Sequence, residues 1–198
     1  MSRPPIVLAS TSPWRRDLLQ RLGLPFSVID PQLDETPWHK AGLKPEALVM
    51  ALASAKAQAV AEETEAGAVI IAADQVAEID GLILTKPGTP ARAVEQLGKL
   101  SGRTHRLLTG LVVLQTASGQ ELTHLDEERL KMRHLTLRER QNYVEREDVL
   151  GCAGSYRIEG LGIALFEAID LPDFTGVIGL PLLGVVRLLK QVGISPLD

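Results

Sequence analysis

The chain has 198 residues and a mass of 21.4 kDa, enough to bury roughly 70 % of its unfolded surface without a disulfide or metal staple. Apolar residues make up 45 % and charged residues 23 %, which excludes disorder, collagen and coiled coil as whole-chain descriptions. With 25 acidic against 21 basic side chains the net charge is −4, an argument against a general nucleic-acid binder.

A single cysteine, Cys152, forms no internal disulfide and points to a reducing compartment. The apolar stretch after Met-Ser-Arg-Pro-Pro is too short for a secretory leader, and no window approaches the length of a membrane span. A cytoplasmic protein is expected. Charge is uneven: residues 1–23 carry Arg3, Arg15, Arg16 and Arg21 against Asp17 alone. A basic spot in an acidic chain suits a small anionic ligand, although a solvated helix face accounts for it as well.

In chain order, Ile6–Ala9 reads as a short buried strand. Ser12 followed by Pro13 is a helix start, a hydroxyl cap before proline at the first helical position, and Gly23 can end that helix. Residues 24–44 read as irregular apart from a strand near Phe26–Ile29. An Ala-rich helix follows over 46–63, then an apolar run of strand length at Val69–Ala73. Asp80-Gly81 between two apolar stretches is a hairpin signal. Thr89 or Pro90 opens a helix to about Leu100. Strands are expected over 106–116 and 120–135, a charged helix over Leu137–Arg146, a glycine-rich loop at 151–162 and a closing amphipathic helix over Pro181–Val192. These elements predict one α/β domain with a mixed sheet.

Several residues are placed for chemistry. Ser10, Thr11 and Ser12, the N–H groups of the helix start, Arg15 and Arg16 share one turn, a combination that suits phosphate. An ordinary capped helix with exposed arginines fits the same pattern. Lys56 falls on the apolar stripe of Leu48 and Leu52, so it must snorkel, pair with a carboxylate or reach into a cleft. Asp74 follows the Val69–Ala73 run, and acids at strand ends are well placed for catalysis or metal binding; a turn or capping role is the plainer reading. With Asp80 and Gly81 as turn residues, Ile79 faces Leu82 and Gln75 faces Lys86. Glu35, in Asp34-Glu35-Thr36, is a second acid able to join Asp74 around Mg²⁺, which takes one or two protein carboxylates plus phosphates and water. His39, His105, His124 and His134 show no metal-ligand spacing, and Cys152 has no neighbouring base.

The segments LASTSPWRRDLL at 8–19, DET at 34–36, SAKA at 54–57, AADQV at 72–76, LTKPG at 84–88, LSGRTH with LLTG at 100–110 and AGSYRIEGLG at 153–162 together resemble the Maf family of nucleotide pyrophosphatases. The pattern is nearest the subgroup that hydrolyses 7-methyl-GTP. The resemblance implies an inosine-triphosphate-pyrophosphatase-like fold: a long twisted mixed sheet flanked by helices, with a cleft between two lobes. It implies cleavage between the α and β phosphates of a nucleoside triphosphate, with a divalent cation, Mg²⁺ or Mn²⁺. By the same resemblance Asp74 activates water, as general base or as metal ligand. Ser10, Arg15, Arg16, Lys56 and Lys86 hold phosphates, and Glu35 serves the metal with Asp74.

Trp14, Gln75 and Glu159 then read the base. N7 methylation leaves the purine positively charged, which suits the face of Trp14, and Glu159 can accept from the N1–H and N2–H₂ edge of guanine. Where the family acts on pyrimidine triphosphates these positions typically look like arginine, threonine and glutamine. A pyrophosphatase for dTTP, UTP or another modified nucleotide and a nucleotide-binding regulator of cell division remain the competing readings. RNA-cap binding is poorer, because no basic stripe extends beyond residues 1–23. The expected partner is a small nucleotide, with no nucleic-acid polymer and no membrane; a homodimer is what the resemblance suggests.

Overall fold

The structure, a computed structural model, describes residues 3–198. Among these residues seven strands form one mixed sheet: β1 (Ile6–Ala9), β2 (Ser27–Ile29), β3 (Val69–Ile79), β4 (Leu82–Leu84), β5 (Thr104–Gln115), β6 (Gln120–Met132) and β7 (Phe166–Asp170). Their order is β2-β1-β3-β5-β6-β7, with β4 paired to β3. β1 is parallel to both β2 and β3, whereas β3–β4 and β6–β7 are antiparallel. Among the described residues six α-helices accompany the strands: α1 (Pro13–Gln20), α2 (Thr36–Lys40), α3 (Pro45–Glu62), α4 (Pro90–Leu100), α5 (Leu137–Arg146) and α6 (Leu182–Gln191). The expected mixed α/β sheet with flanking helices is what the chain forms.

The chain divides into two compact units. The first comprises residues 1–74, 109–126 and 173–198; the second comprises 75–108 and 127–172. In the first unit strand alternation sends side chains to both faces of the sheet. Ile6, Leu8, Ile71 and Ala73 pack with Leu18 and Leu19 of α1 and with Val185, Leu188 and Leu189 of α6. Val7, Ala9, Ile70 and Ala72 pack with Ala53, Ala57 and Val60 of α3. Burial on both faces explains why β1 and the start of β3 read as unbroken apolar runs. α3 comes close to β5 because Gly110 has no side chain: a Cβ there would lie 2.5 Å from the Val49 carbonyl oxygen.

In the second unit, Thr136 and Glu139 form a capping box that starts α5. Arg140 of α5 donates to the Val94 carbonyl of α4, over Gly98, whose missing side chain leaves room for that guanidinium. His105, Tyr156 and Phe166 form an aromatic cluster, with the His105 Nε2–Tyr156 Oη pair at 2.9 Å. Burial lowers the pKa of His105 to about 4, so it is a neutral core histidine.

Three elements differ from the sequence reading. Val69–Ala73 does not end before Asp74; the strand continues to Ile79, with β5 as its neighbour, past the end of the parallel ladder at Leu8↔Ile71 to antiparallel pairing with β4 over Ala77–Ile79. The stretch 24–44 contains the short helix α2. β7 also went unread: its five residues pair with β6 but are largely exposed, so they show no buried run. The hairpin register is as expected, Ile79↔Leu82, although the ladder ends at Ala77↔Leu84, short of Gln75 and Lys86. Asp80 and Gly81 take φ of +50° and +81°, the two positive values that a type I′ turn requires.

Candidate active site

Asp74 lies on β3 just beyond its parallel pairing with β1. Its carboxylate is buried, and Oδ1 accepts a 2.5 Å hydrogen bond from Nζ of Lys56. Lys56 projects from the buried face of α3, between Leu52 and Val60, and is itself only 8 % exposed. Of the three outcomes open to a lysine on that stripe, pairing is the one realised. Its ammonium also lies 2.7 Å from Oε1 of Glu35, so one buried cation joins two acids.

Glu35 reaches that position through the turn before α2. Asp34 accepts the Thr36 N–H at 3.0 Å; hydrogen bonding to the Thr36 side chain and then to this N–H holds the Asp34 carboxyl below its usual range. Glu35 occupies the N-cap position of α2 but makes no side-chain capping bond there. The second oxygen of Glu35 lies 3.7 Å from His39 Nε2.

Ser10, at the end of β1, is buried and accepts the Ser12 N–H at 3.1 Å. Ser12 caps α1 through Arg15 N–H. Arg15 turns its Nε to the Gly179 carbonyl at 2.8 Å. Burial lowers its pKa, while the Asp74 and Glu35 charges act in the opposite direction. Arg15 therefore shares the field of the acid cluster. Arg16 does not reach inward: it is exposed, 3.8 Å from Asp17 on the same helix. Trp14 is 37 % exposed at the start of α1.

The other expected residues belong to the second unit. Gln75 is half-buried, and Lys86 is exposed after β4. In the 151–162 loop, Glu159 accepts from Arg157 Nε at 3.2 Å. Cys152 in the same loop is no poised nucleophile: burial, with help from Glu159, pushes its thiol up to about 11.

The Maf-like protein family model matches residues 5–192. The chain belongs to the Maf family. A relative of this Maf chain from a Polaromonas species, named 7-methyl-GTP pyrophosphatase, is 47 % identical over 191 residues, covering 96 % of this chain and 86 % of its own. A Pseudomonas aeruginosa protein of the same name is 43 % identical over 192 residues, covering 97 % and 98 % respectively. Among solved structures, a nucleoside-triphosphatase (dITP/XTP pyrophosphatase) from Mycobacterium abscessus is similar with a TM-score of 0.48 at 14 % identity, covering 95 % of this chain and 94 % of that one.

Two features of the Maf chain escaped the sequence reading. The Gly179 carbonyl that holds Arg15 is a backbone acceptor and leaves no side-chain signal. Arg157 stood in plain view within AGSYRIEGLG, two residues before Glu159, but its bonds to Glu159 and to Glu147 depend on the fold of the loop. Among the described residues no three His, Cys, Asp or Glu side chains group into a metal cage. Glu35 and Asp74 nevertheless converge on one positive charge. Two hard oxygen donors fit a hard divalent cation, which takes one or two protein carboxylates and completes its shell with other oxygen ligands.

Proposed function

We propose that the chain is a nucleoside triphosphate pyrophosphatase that converts 7-methyl-GTP and water into 7-methyl-GMP and pyrophosphate. The observation that carries the chemistry is the buried Lys56 ammonium shared by Asp74 and Glu35. The names and full-length similarity of the relatives support the reaction and its substrate.

In this reading residues 1–198 act as one catalytic domain. Water attacks, the α–β phosphoanhydride bond breaks, and the bridging oxygen leaves with pyrophosphate. Oδ1 of Asp74 is held by Lys56, so Oδ2 is the atom assigned to receive the water proton. Ser10, Arg15, Lys56 and Lys86 bind phosphate oxygens, whereas Arg16, exposed beside Asp17, is left out of this set; such positioning and charge neutralisation do most of the work in phosphoryl transfer. Glu35 and Asp74 hold a divalent cation, Mg²⁺ or Mn²⁺, which when bound supplies charge neutralisation and a more acidic water.

Trp14, Gln75 and Glu159 select the base. The face of Trp14 attracts the cationic 7-methylguanine by about 0.5–2 kcal/mol. Glu159 accepts from its N1–H and N2–H₂ edge, whereas the same carboxylate repels pyrimidine carbonyls, so recognition and exclusion come together. Among the described residues no helix is long and apolar enough to cross a membrane. A cytoplasmic enzyme, working as a homodimer on a small nucleotide, completes the proposal.

The test compares products and rates for 7-methyl-GTP, GTP, UTP and dTTP. Preference for 7-methyl-GTP, with monophosphate and pyrophosphate as products, is expected. Preference for UTP or dTTP would overturn the base assignment. Tight nucleotide binding without cleavage would favour a regulator.

A further inference from the structure

The loop carrying Glu159 is tied down more heavily than a passive loop requires. Arg157 donates from Nη1 to Oε1 of Glu147 at 2.8 Å and from Nε to Oε1 of Glu159 at 3.2 Å. Glu147, just past α5, accepts the Leu161 N–H on its other oxygen at 2.7 Å. One carboxylate therefore clasps the loop on both sides of Glu159. The Arg157 backbone is fixed as well, its N–H donating to Tyr143 Oη at 3.0 Å.

The glycines of Glu159-Gly160-Leu161-Gly162 leave room for this clamp. A Cβ on Gly160 would lie 2.5 Å from Oε2 of Glu147, and one on Gly162 would lie 2.1 Å from the Arg157 carbonyl oxygen. Each glycine thus makes room for a partner of Arg157 or for Arg157 itself.

We infer that Arg157 is a positioning residue for base selection, fixing the Glu159 carboxylate in the orientation that accepts the donor edge of a guanine base. The inference rests on the reading of Glu159 as the base-contacting acid. A glutamate at the surface has several rotamers, and holding one of them costs entropy on binding unless a neighbour has already ordered it. Arg157 is suited to that task. Its guanidinium is planar, and Nη1 and Nε are committed to different carboxylates, so Glu147 fixes the plane from which Glu159 is held. The bond to Oε1 leaves Oε2 and further lone pairs of Glu159 for the ligand. The Glu159 carboxylate so placed binds two N–H donors and repels a pyrimidine carbonyl. Lysine lacks the fork and cannot hold both acids in this geometry.

The experiment is a double-mutant cycle on the full chain with Arg157→Gln, Glu159→Gln and the pair. It reads the ratio of kcat/KM for 7-methyl-GTP to that for UTP, with kcat and KM separated and thermal unfolding followed in parallel. Arg157→Gln is expected to lower the ratio roughly tenfold, the loss of one charge-assisted hydrogen bond, mainly through KM. In the Glu159→Gln background the same change should have little further effect, since the residue acts through Glu159. Arg157→Lys, which keeps the charge, should recover the ratio only in part and serves if Arg157→Gln does not fold. Equal losses on both substrates, independent of Glu159, would overturn the inference and leave a structural brace. Glu159→Gln lowering the ratio while both Arg157 variants preserve it would overturn the inference alone. An unchanged ratio in Glu159→Gln would overturn the base assignment and the inference with it.

Discussion

The Lys56 ammonium lies 2.5 Å from Oδ1 of Asp74, both side chains buried, and the same ammonium holds Glu35. A buried lysine needs a carboxylate, and two carboxylates brought together need a cation. Each group thus explains why the others can be there.

Lys56→Met removes the shared cation and leaves two acids facing each other. Breaking a buried ion pair in this way typically destabilises by about 3–5 kcal/mol, read as a lowered midpoint in urea. Added Mg²⁺ or Mn²⁺ should restore more stability to this variant than to wild type, because the ion replaces the lost ammonium and binding to the native state stabilises it. An equal response in the two proteins would count against Glu35 and Asp74 as a cation site.

Gly110→Ala probes the packing that places Lys56. The added Cβ would meet the Val49 carbonyl at 2.5 Å, forcing α3 away from β5. Overpacking of this kind destabilises by roughly 1–3 kcal/mol. Because Lys56 rides on α3, pyrophosphate release should fall by more than the loss of folded protein explains. An active variant of wild-type stability would show that the helix position is not critical.

His105 sets a pH dependence of stability. Burial lowers its pKa from 6.5 to about 4, so between those values the unfolded chain binds the extra proton. Its contribution is full above about pH 6.5 and is lost as pH falls to 4, on the order of 3 kcal/mol at the acid end. The stability advantage of wild type over His105→Gln should therefore shrink from pH 7 to pH 4 in urea titrations. A difference independent of pH would mean that the histidine is not held neutral.

Much of the framework was legible because local chemistry and tertiary structure agree. Ser12 and Pro13 open α1, Thr89 caps α4, Asp80-Gly81 turns the hairpin with the expected register, and α5 spans Leu137–Arg146 as read. The misses have physical causes. α2 is one short turn with a proline in it, too brief for any periodicity. The polar Asp74-Gln75 pair interrupts the apolar run of β3, although the backbone ladder continues through it. For the site, the sequence marked Lys56 by its place on an apolar stripe and Asp74 by its strand end, and it joined Glu35 to Asp74 as a second acid. That one ammonium binds both acids follows from the packing of α3 against β1 and β3, which no local pattern contains. Arg16 shows the converse: its neighbour Arg15 turns to Gly179, while Arg16 faces solvent beside Asp17.

Pyrophosphate release from 7-methyl-GTP by wild type and Asp74→Asn, each with Mg²⁺ and with EDTA, tests the proposed chemistry most directly. Asparagine can still accept from Lys56, so the variant should remain folded. Release should be rapid in wild type with Mg²⁺ and abolished by EDTA. In the variant it should fall by about 10²–10⁴, the usual range for removing a group that handles the proton. Near wild-type release by folded Asp74→Asn, or release unaffected by EDTA, would contradict the assignment of Asp74 and its cation.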